Sequence, residues 1–220
     1  MKIVSIARDS FIESSPFNWG LSLFSFGCNL QCSFCKGYNY ETVTNQDNII
    51  GDVIDILEAE VNPCHDCVIF IGGEPTIWGD SLISALEWCH KHNKKTKIFS
   101  NGYNYELISK INSLGLCDAW SIDFKGTREN VGSYIGVNGD IYYSLVKKSI
   151  YDIINYNLPL EIRTTYFVDN IKDKDKIRVE IQKIEKYMKD NNFSSYYKYF
   201  EQDDFRDKIQ RRIKDGKNKF

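Results

Sequence analysis

Residues 19–35 read Trp19-Gly20-Leu21-Ser22-Leu23-Phe24-Ser25-Phe26-Gly27-Cys28-Asn29-Leu30-Gln31-Cys32-Ser33-Phe34-Cys35. Trp19 to Phe26 is a short apolar, β-rich run that Gly27 ends, and three thiols then fall within eight residues. Three soft thiolates at that density suit zinc or an iron–sulfur cluster. A structural zinc site needs a fourth protein ligand to close its tetrahedron. The nearest candidates, Cys64, His65 and Cys67, come about thirty residues later, at the start of the next apolar run. In a parallel sheet that is the opposite end from the thiols, so the closed site fails on geometry. Three ligands instead leave one iron of a cubane open to an outside ligand. Cys64, His65 and Cys67 by themselves make an incomplete metal set.

Outward from this loop, strand-like and helical patterns alternate. The start, Met1 to Asp9, reads as a strand. Ile50, Val53, Ile54, Leu57 and Val61 have helical spacing, and Cys67 to Ile71 is a buried strand stopped by Gly72-Gly73. The alternation continues through a helix at Leu82–Cys89, a strand at Lys95–Phe99, a helix at Leu107–Leu114 and a strand at Asp118–Phe124. A helix at Tyr142–Ile153, a strand at Leu160–Val168, a helix at Ile177–Met188 and an aromatic strand at Ser195–Phe200 complete it. Strict alternation means parallel strands with crossover helices. Six core strands follow an extra N-terminal one, as a doubly wound sheet or a partial barrel; periodicity alone leaves both open.

Composition is that of an ordinary globular chain. It has 220 residues, 42% apolar and 26% charged, with 28 Lys and Arg against 30 Asp and Glu. The near-neutral balance gives no field that marks a nucleic-acid or membrane binder. No apolar run is long enough to span a bilayer and no secretory leader is visible, so a cytoplasmic location is expected. Seven unevenly placed cysteines do not make a disulfide scaffold.

Cys28-x3-Cys32-x2-Cys35, with the aromatic Phe34 before the last thiol, resembles the signature of the radical S-adenosylmethionine enzymes. The resemblance covers about residues 18–168. It implies an α/β partial (β/α)6 barrel with its chemistry at the C-terminal strand ends. It further implies that the three cysteines hold a 4Fe-4S cluster whose open iron chelates S-adenosylmethionine. Cleavage of that cofactor then yields a 5′-deoxyadenosyl radical.

The other strand ends extend the resemblance. Gly72-Gly73-Glu74 resembles the family segment that meets the cofactor's amino group; the glycines allow close approach, and Glu74 can accept from an ammonium. Ser100-Asn101-Gly102 resembles a segment near the cofactor, although Asn-Gly is also a common turn pair. Period two places Ser121, Asp123 and Lys125 on one face of their strand. Asp123-x-Lys125 is similar to a motif of glycyl-radical-enzyme activases in which the lysine contacts the cofactor; its plainer reading is an internal ion pair. Arg163 shares a face with Glu161 and Thr165, so its partner is either the cofactor carboxylate or Glu161.

The fit is incomplete in places. Where some activases carry a cation-binding carboxylate, this chain has Phe99, and an eight-cysteine ferredoxin-like insertion is missing. The histidines, at 65, 90 and 92, all precede the third core strand, so the late histidine of some relatives has no counterpart. Residues 1–202 are expected to form the barrel. Residues 203–220, with Arg206, Arg211, Arg212 and Lys214, are expected to form a charged tail. A small barrel without a separate substrate domain suits a macromolecular substrate. The expected partners are a glycyl-radical enzyme such as anaerobic ribonucleoside-triphosphate reductase and a low-potential donor such as flavodoxin or ferredoxin. The alternative is a small-molecule enzyme of the 7-carboxy-7-deazaguanine synthase type.

Overall fold

The computed structural model describes residues 1–35, 45–167 and 170–203. The charged tail beyond Asp203, and Val168 at the end of its strand, lie outside the described residues. Eight strands form one sheet: β1 (Lys2–Ser10), β2 (Gly20–Ser25), β3 (Gly51–Asp52), β4 (Cys67–Gly72), β5 (Lys95–Ser100), β6 (Ala119–Asp123), β7 (Leu160–Tyr166) and β8 (Tyr197–Asp203). Their order is β3-β1-β2-β4-β5-β6-β7-β8. β1 runs antiparallel to both β2 and β3, and the six strands from β2 through β8 in that order are parallel. This is the expected partial barrel, with β3 and β8 as its edges.

The connections carry helices α1 (Val53–Glu60), α2 (Asp80–Lys91), α3 (Tyr105–Ser113), α4 (Gly132–Ile135), α5 (Gly139–Asn155) and α6 (Lys174–Asp190). Each longer helix buries one stripe, as Tyr142, Val146, Ile150 and Ile153 do in α5, which Asn138 caps through Ile141 N at 3.0 Å. The first helix starts later than its apolar spacing predicts. Ile50 N is held by Ile3 O and Val53 N by Met1 O, so Gly51–Asp52 pairs with β1 and Ile50 is left exposed. Sheet pairing at the edge outcompetes the helical pattern there.

Two faces of the sheet divide the side chains. Val68, Phe70, Ile98, Trp120, Ile122 and Ile162 pack outward in the core shared with the helices. The register stacks inner rows: Ser22, Ile69, Lys97 and Ala119; then Phe99, Ser121, Glu161 and Lys198; then Asp123, Arg163 and Phe200. The β1–β2 connection closes the N-terminal end of this interior. Phe17 packs on Cys67, Ile69 and Phe99, and Ser15 O accepts from Lys97 Nζ at 2.7 Å.

Candidate active site

The C-terminal strand ends surround a cavity of about 240 Å³. Every candidate from the sequence lines it: Cys28, Cys32, Cys35 and Phe34 from the loop after β2, and Gly72, Gly73 and Glu74 after β4. Ser100 and Asn101 from the end of β5, Asp123 and Lys125 from β6, and Arg163 from β7 complete the wall. Phe24, Ile71, Phe99, Thr165 and Gln202 line it too. Gln202 lies on β8, whose strand signal gave no hint of a site.

The thiol loop is held by backbone contacts on several sides. Glu74 N donates to Gly27 O at 2.8 Å and Gly73 N to Ser25 O at 3.0 Å. On the other side, Gln31 N donates to Ile135 O and Ser33 N to Tyr134 O of α4, both at 2.9 Å. Asn101 Nδ2 reaches Asn29 Oδ1 at 2.7 Å. The sequence reading missed α4 and Asn29 as supports of the thiol loop: α4 acts through main-chain oxygens, which leave little side-chain signature, and the partner of Asn29 lies 72 residues away.

The glycine pair has a packing reason besides the close ligand approach expected of it. A Cβ on Gly73 would lie 1.9 Å from Gly27 O, and Gly72 has φ +108° with a Cβ position 2.6 Å from Ser25 N. The glycines thus let β4 approach the backbone of β2 and of the thiol loop, in addition to lining the cavity. Glu74 also differs from a free acceptor. It is buried, and its Oε1 accepts from Thr76 N (3.2 Å), Thr76 Oγ1 (2.7 Å) and Ser100 Oγ (2.8 Å), while Oε2 accepts from Asn101 N (2.7 Å). Burial pushes its pKa up and these donors oppose that rise. Glu74 therefore ties the end of β4 to the Ser100-Asn101-Gly102 turn, whose own geometry includes Tyr103 N on Asn101 Oδ1 at 2.9 Å.

Across the cavity, Lys125 Nζ pairs with Asp123 Oδ2 at 2.8 Å and sits 5.6 Å from the Phe34 ring centroid. Burial opposes the Lys125 charge, but Asp123 and Cys32 outweigh it and hold the ammonium's pKa well above normal. Phe34 stacks on Phe167 at 4.1 Å, so most of its ring is committed to packing. Burial pushes the Cys28 thiol up to about 12 and raises Cys32, with Lys125 opposing both shifts. Arg163 lies 3.7 Å from Glu161 Oε1, and its guanidinium sits over the rings of Phe99 and Phe200.

Cys64 is exposed, and His65 Nε2 lies 3.0 Å from Arg8 O. Cys67 is buried at the N-terminal end of β4, at the far end of the strand from the cavity. Cys89 and Cys117 are buried as well. His90 pairs with Asp118 and His92 stacks on Trp88. Among the described residues, no three His, Cys, Asp or Glu side chains are grouped so as to grip a single metal ion. No helix among them is long and apolar enough to cross a membrane.

A match to the Radical SAM superfamily spans residues 22–181, which includes the thiol loop, most of β2 and all of β4, β5, β6 and β7. The chain belongs to the radical S-adenosylmethionine superfamily. Enzymes of this superfamily work with a 4Fe-4S cluster and S-adenosylmethionine. Two curated relatives from Methanocaldococcus jannaschii are named "Putative glycyl-radical enzyme activating enzyme MJ1227" and "Putative glycyl-radical enzyme activating enzyme MJ1632". Each is 27% identical over 76% of this chain, which spans 68% of the first relative and 62% of the second. The fold is similar to a solved "Native anSMEcpe with bound AdoMet" (TM-score 0.50, 19% identity, 80% of this chain and 49% of that one). It is also similar to "Structure of TYW1 with a lysine-pyruvate adduct bound" (TM-score 0.50, 17% identity, 75% of this chain and 61% of that one).

Proposed function

We propose that this radical S-adenosylmethionine enzyme is an activase that generates a glycyl radical on a partner enzyme, with anaerobic ribonucleoside-triphosphate reductase as the partner and a flavodoxin or ferredoxin as electron donor. The carrying observation is the cavity wall that joins three thiols to the Asp123–Lys125 pair. The names of the two archaeal relatives support the same reading.

The donor set fits the family's cofactors. Cys28, Cys32 and Cys35 would hold the cluster: they are soft ligands on one cavity wall, and a cubane takes its thiolates at separate corners. Ligation requires thiolates, so loading displaces protons that burial otherwise keeps on Cys28 and Cys32. When bound and reduced by the electron donor, the cluster would supply the one electron needed for reductive cleavage of S-adenosylmethionine to methionine and a 5′-deoxyadenosyl radical.

The chain's own groups then bind and orient. Lys125 would lend a charge-assisted contact to the cofactor, with Asp123 fixing its ammonium. Arg163 would take the carboxylate in its planar fork, and Asn101 would border the cofactor from the β5 turn. Glu74 and Ser100 would keep that turn and the thiol loop in register, while Phe34, Phe24 and Ile71 exclude water from the wall. Mixing the reduced, cluster-loaded chain and S-adenosylmethionine with the glycyl-radical reductase of the same host should give a carbon-centred EPR doublet on the reductase. No radical on any such reductase, together with turnover of carboxytetrahydropterin, would instead establish the small-molecule alternative.

A further inference from the structure

Beneath the cavity lies a charge that the proposed function leaves unused. Lys97 points inward from β5 with its side chain 1% exposed. Its Nζ donates to Ser15 O at 2.7 Å and to Glu161 Oε2 at 3.3 Å. The other oxygen of the same carboxylate, Oε1, faces Arg163 Nε at 3.7 Å. The Arg163 guanidinium lies between two aromatic rings, 5.0 Å from the Phe99 centroid and 5.6 Å from that of Phe200, and borders the cavity. Among the described residues, Lys97 and Arg163 share this one carboxylate, so these three groups carry one positive charge in excess while Lys97 is protonated; burial pulls the Lys97 pKa down and Glu161 opposes that pull. The neighbouring pair of Asp123 and Lys125 cancels itself.

That arrangement does two things to Arg163. Glu161 faces Nε, on the stem side of the guanidinium, at ion-pair rather than hydrogen-bond distance, and among the described residues the terminal nitrogens have no carboxylate closer than that. Lys97 holds the opposite oxygen of Glu161, so the carboxylate is not free to draw the whole guanidinium down to itself. Buried ions require such partners, and a ladder with an unbalanced cation next to a cavity favours an anion there.

We propose that Lys97 and Glu161 are a positioning pair that fixes Arg163 as the carboxylate-binding group of the cavity. The proposal rests on the reading of the site as one for S-adenosylmethionine, whose carboxylate is the anion concerned. Loss of Lys97 leaves Glu161 and Arg163 to neutralise one another and withdraws the guanidinium from the cavity. Loss of the Glu161 charge keeps both cations but releases the Nε anchor.

The test is anaerobic binding to the cluster-loaded, unreduced protein, measured for S-adenosylmethionine and for decarboxylated S-adenosylmethionine. The unmodified protein should bind the carboxylate-bearing compound at least about tenfold more tightly, the scale of one charge-assisted contact. Lys97→Met should weaken S-adenosylmethionine binding about tenfold and leave the decarboxylated compound unchanged, bringing the ratio near one. Glu161→Gln should lower the ratio about threefold, and it decides the matter alone if the Lys97 variant does not fold. A folded, loaded variant that keeps the original ratio, or that loses affinity for both compounds equally, overturns the proposal. If the unmodified protein binds neither compound, the reading of the site itself is overturned.

Discussion

Replacing Glu74 by glutamine removes an acceptor from a buried carboxylate whose two oxygens serve different segments. Oε1 accepts from the backbone of Thr76 and from two hydroxyls, and Oε2 accepts from the backbone of Asn101. An amide has a single accepting oxygen. The hydroxyls of Thr76 and Ser100 can rotate, but the two backbone N–H groups cannot, and they fall on different oxygens. Glutamine therefore turns its NH2 toward one of them. The better choice keeps the carbonyl on the Thr76 and Ser100 side and leaves Asn101 N–H facing another donor.

An orphaned buried donor costs about 1–3 kcal/mol, and hydrogen bonds to a charged acceptor lie at the upper end of the usual range, so the variant should lose about 2 kcal/mol. For a domain of this size, that lowers the melting temperature by about 4–8 °C. The measurement is thermal or urea denaturation of the metal-free chain, where no cofactor contributes. Ser100→Ala should cost about 1 kcal/mol, and in combination with Glu74→Gln the losses should fall short of additivity because the two residues share a bond. A residue used only to receive a cofactor's ammonium would leave the metal-free protein unaffected. A Glu74→Gln melting curve within a degree of the unmodified chain would refute the structural role.

Cys28→Ala, Cys32→Ala and Cys35→Ala should each abolish stable assembly of a cluster of about four irons per chain, measured by iron content and EPR after anaerobic reconstitution; Cys64→Ser should leave both readings unchanged. Gly73→Ala places a methyl group on Gly27 O, so about 1–3 kcal/mol of stability should be lost and iron content should fall as the thiol loop is displaced; normal loading would show that the close approach is dispensable. Burial raises the Glu180 pKa, but bonds from Lys183, Tyr143 and Lys147 prevail and hold it down to about 2. The stability that Glu180 adds over Glu180→Gln should then be complete above about pH 4.5 and should shrink as pH falls toward about 2, read by urea denaturation across that range. A gap that is constant with pH would exclude the ionised form as its source.

The strands, their parallel order and the thiol loop were legible because each has a local trace: an apolar run, a period of two or 3.6, a fixed cysteine spacing. Inward charges also leave such a trace. Asp123, Lys125 and Arg163 stand out by alternation, and the same count puts Lys97 on the inner face of β5 with Phe99, so the sequence carries that signal as well. What alternation cannot supply is the partner. In a parallel sheet, residues that meet are separated by at least one whole crossover: Glu74 after β4 meets Asn101 after β5, and Lys97 on β5 meets Glu161 two strands away on β7 as well as Ser15 in the β1–β2 connection. A strand-end charge therefore looks free for a ligand when read locally, whereas the fold can supply partners from other strands. Glu74 and Arg163 show the two outcomes. Glu74 has protein donors on both oxygens and holds the wall together. Arg163 shares its one carboxylate with a second cation and borders the cavity. Unequal pairing, visible only once the strands are side by side, is the physical ground on which Glu74 is read as structural and Arg163 is proposed as a binding group.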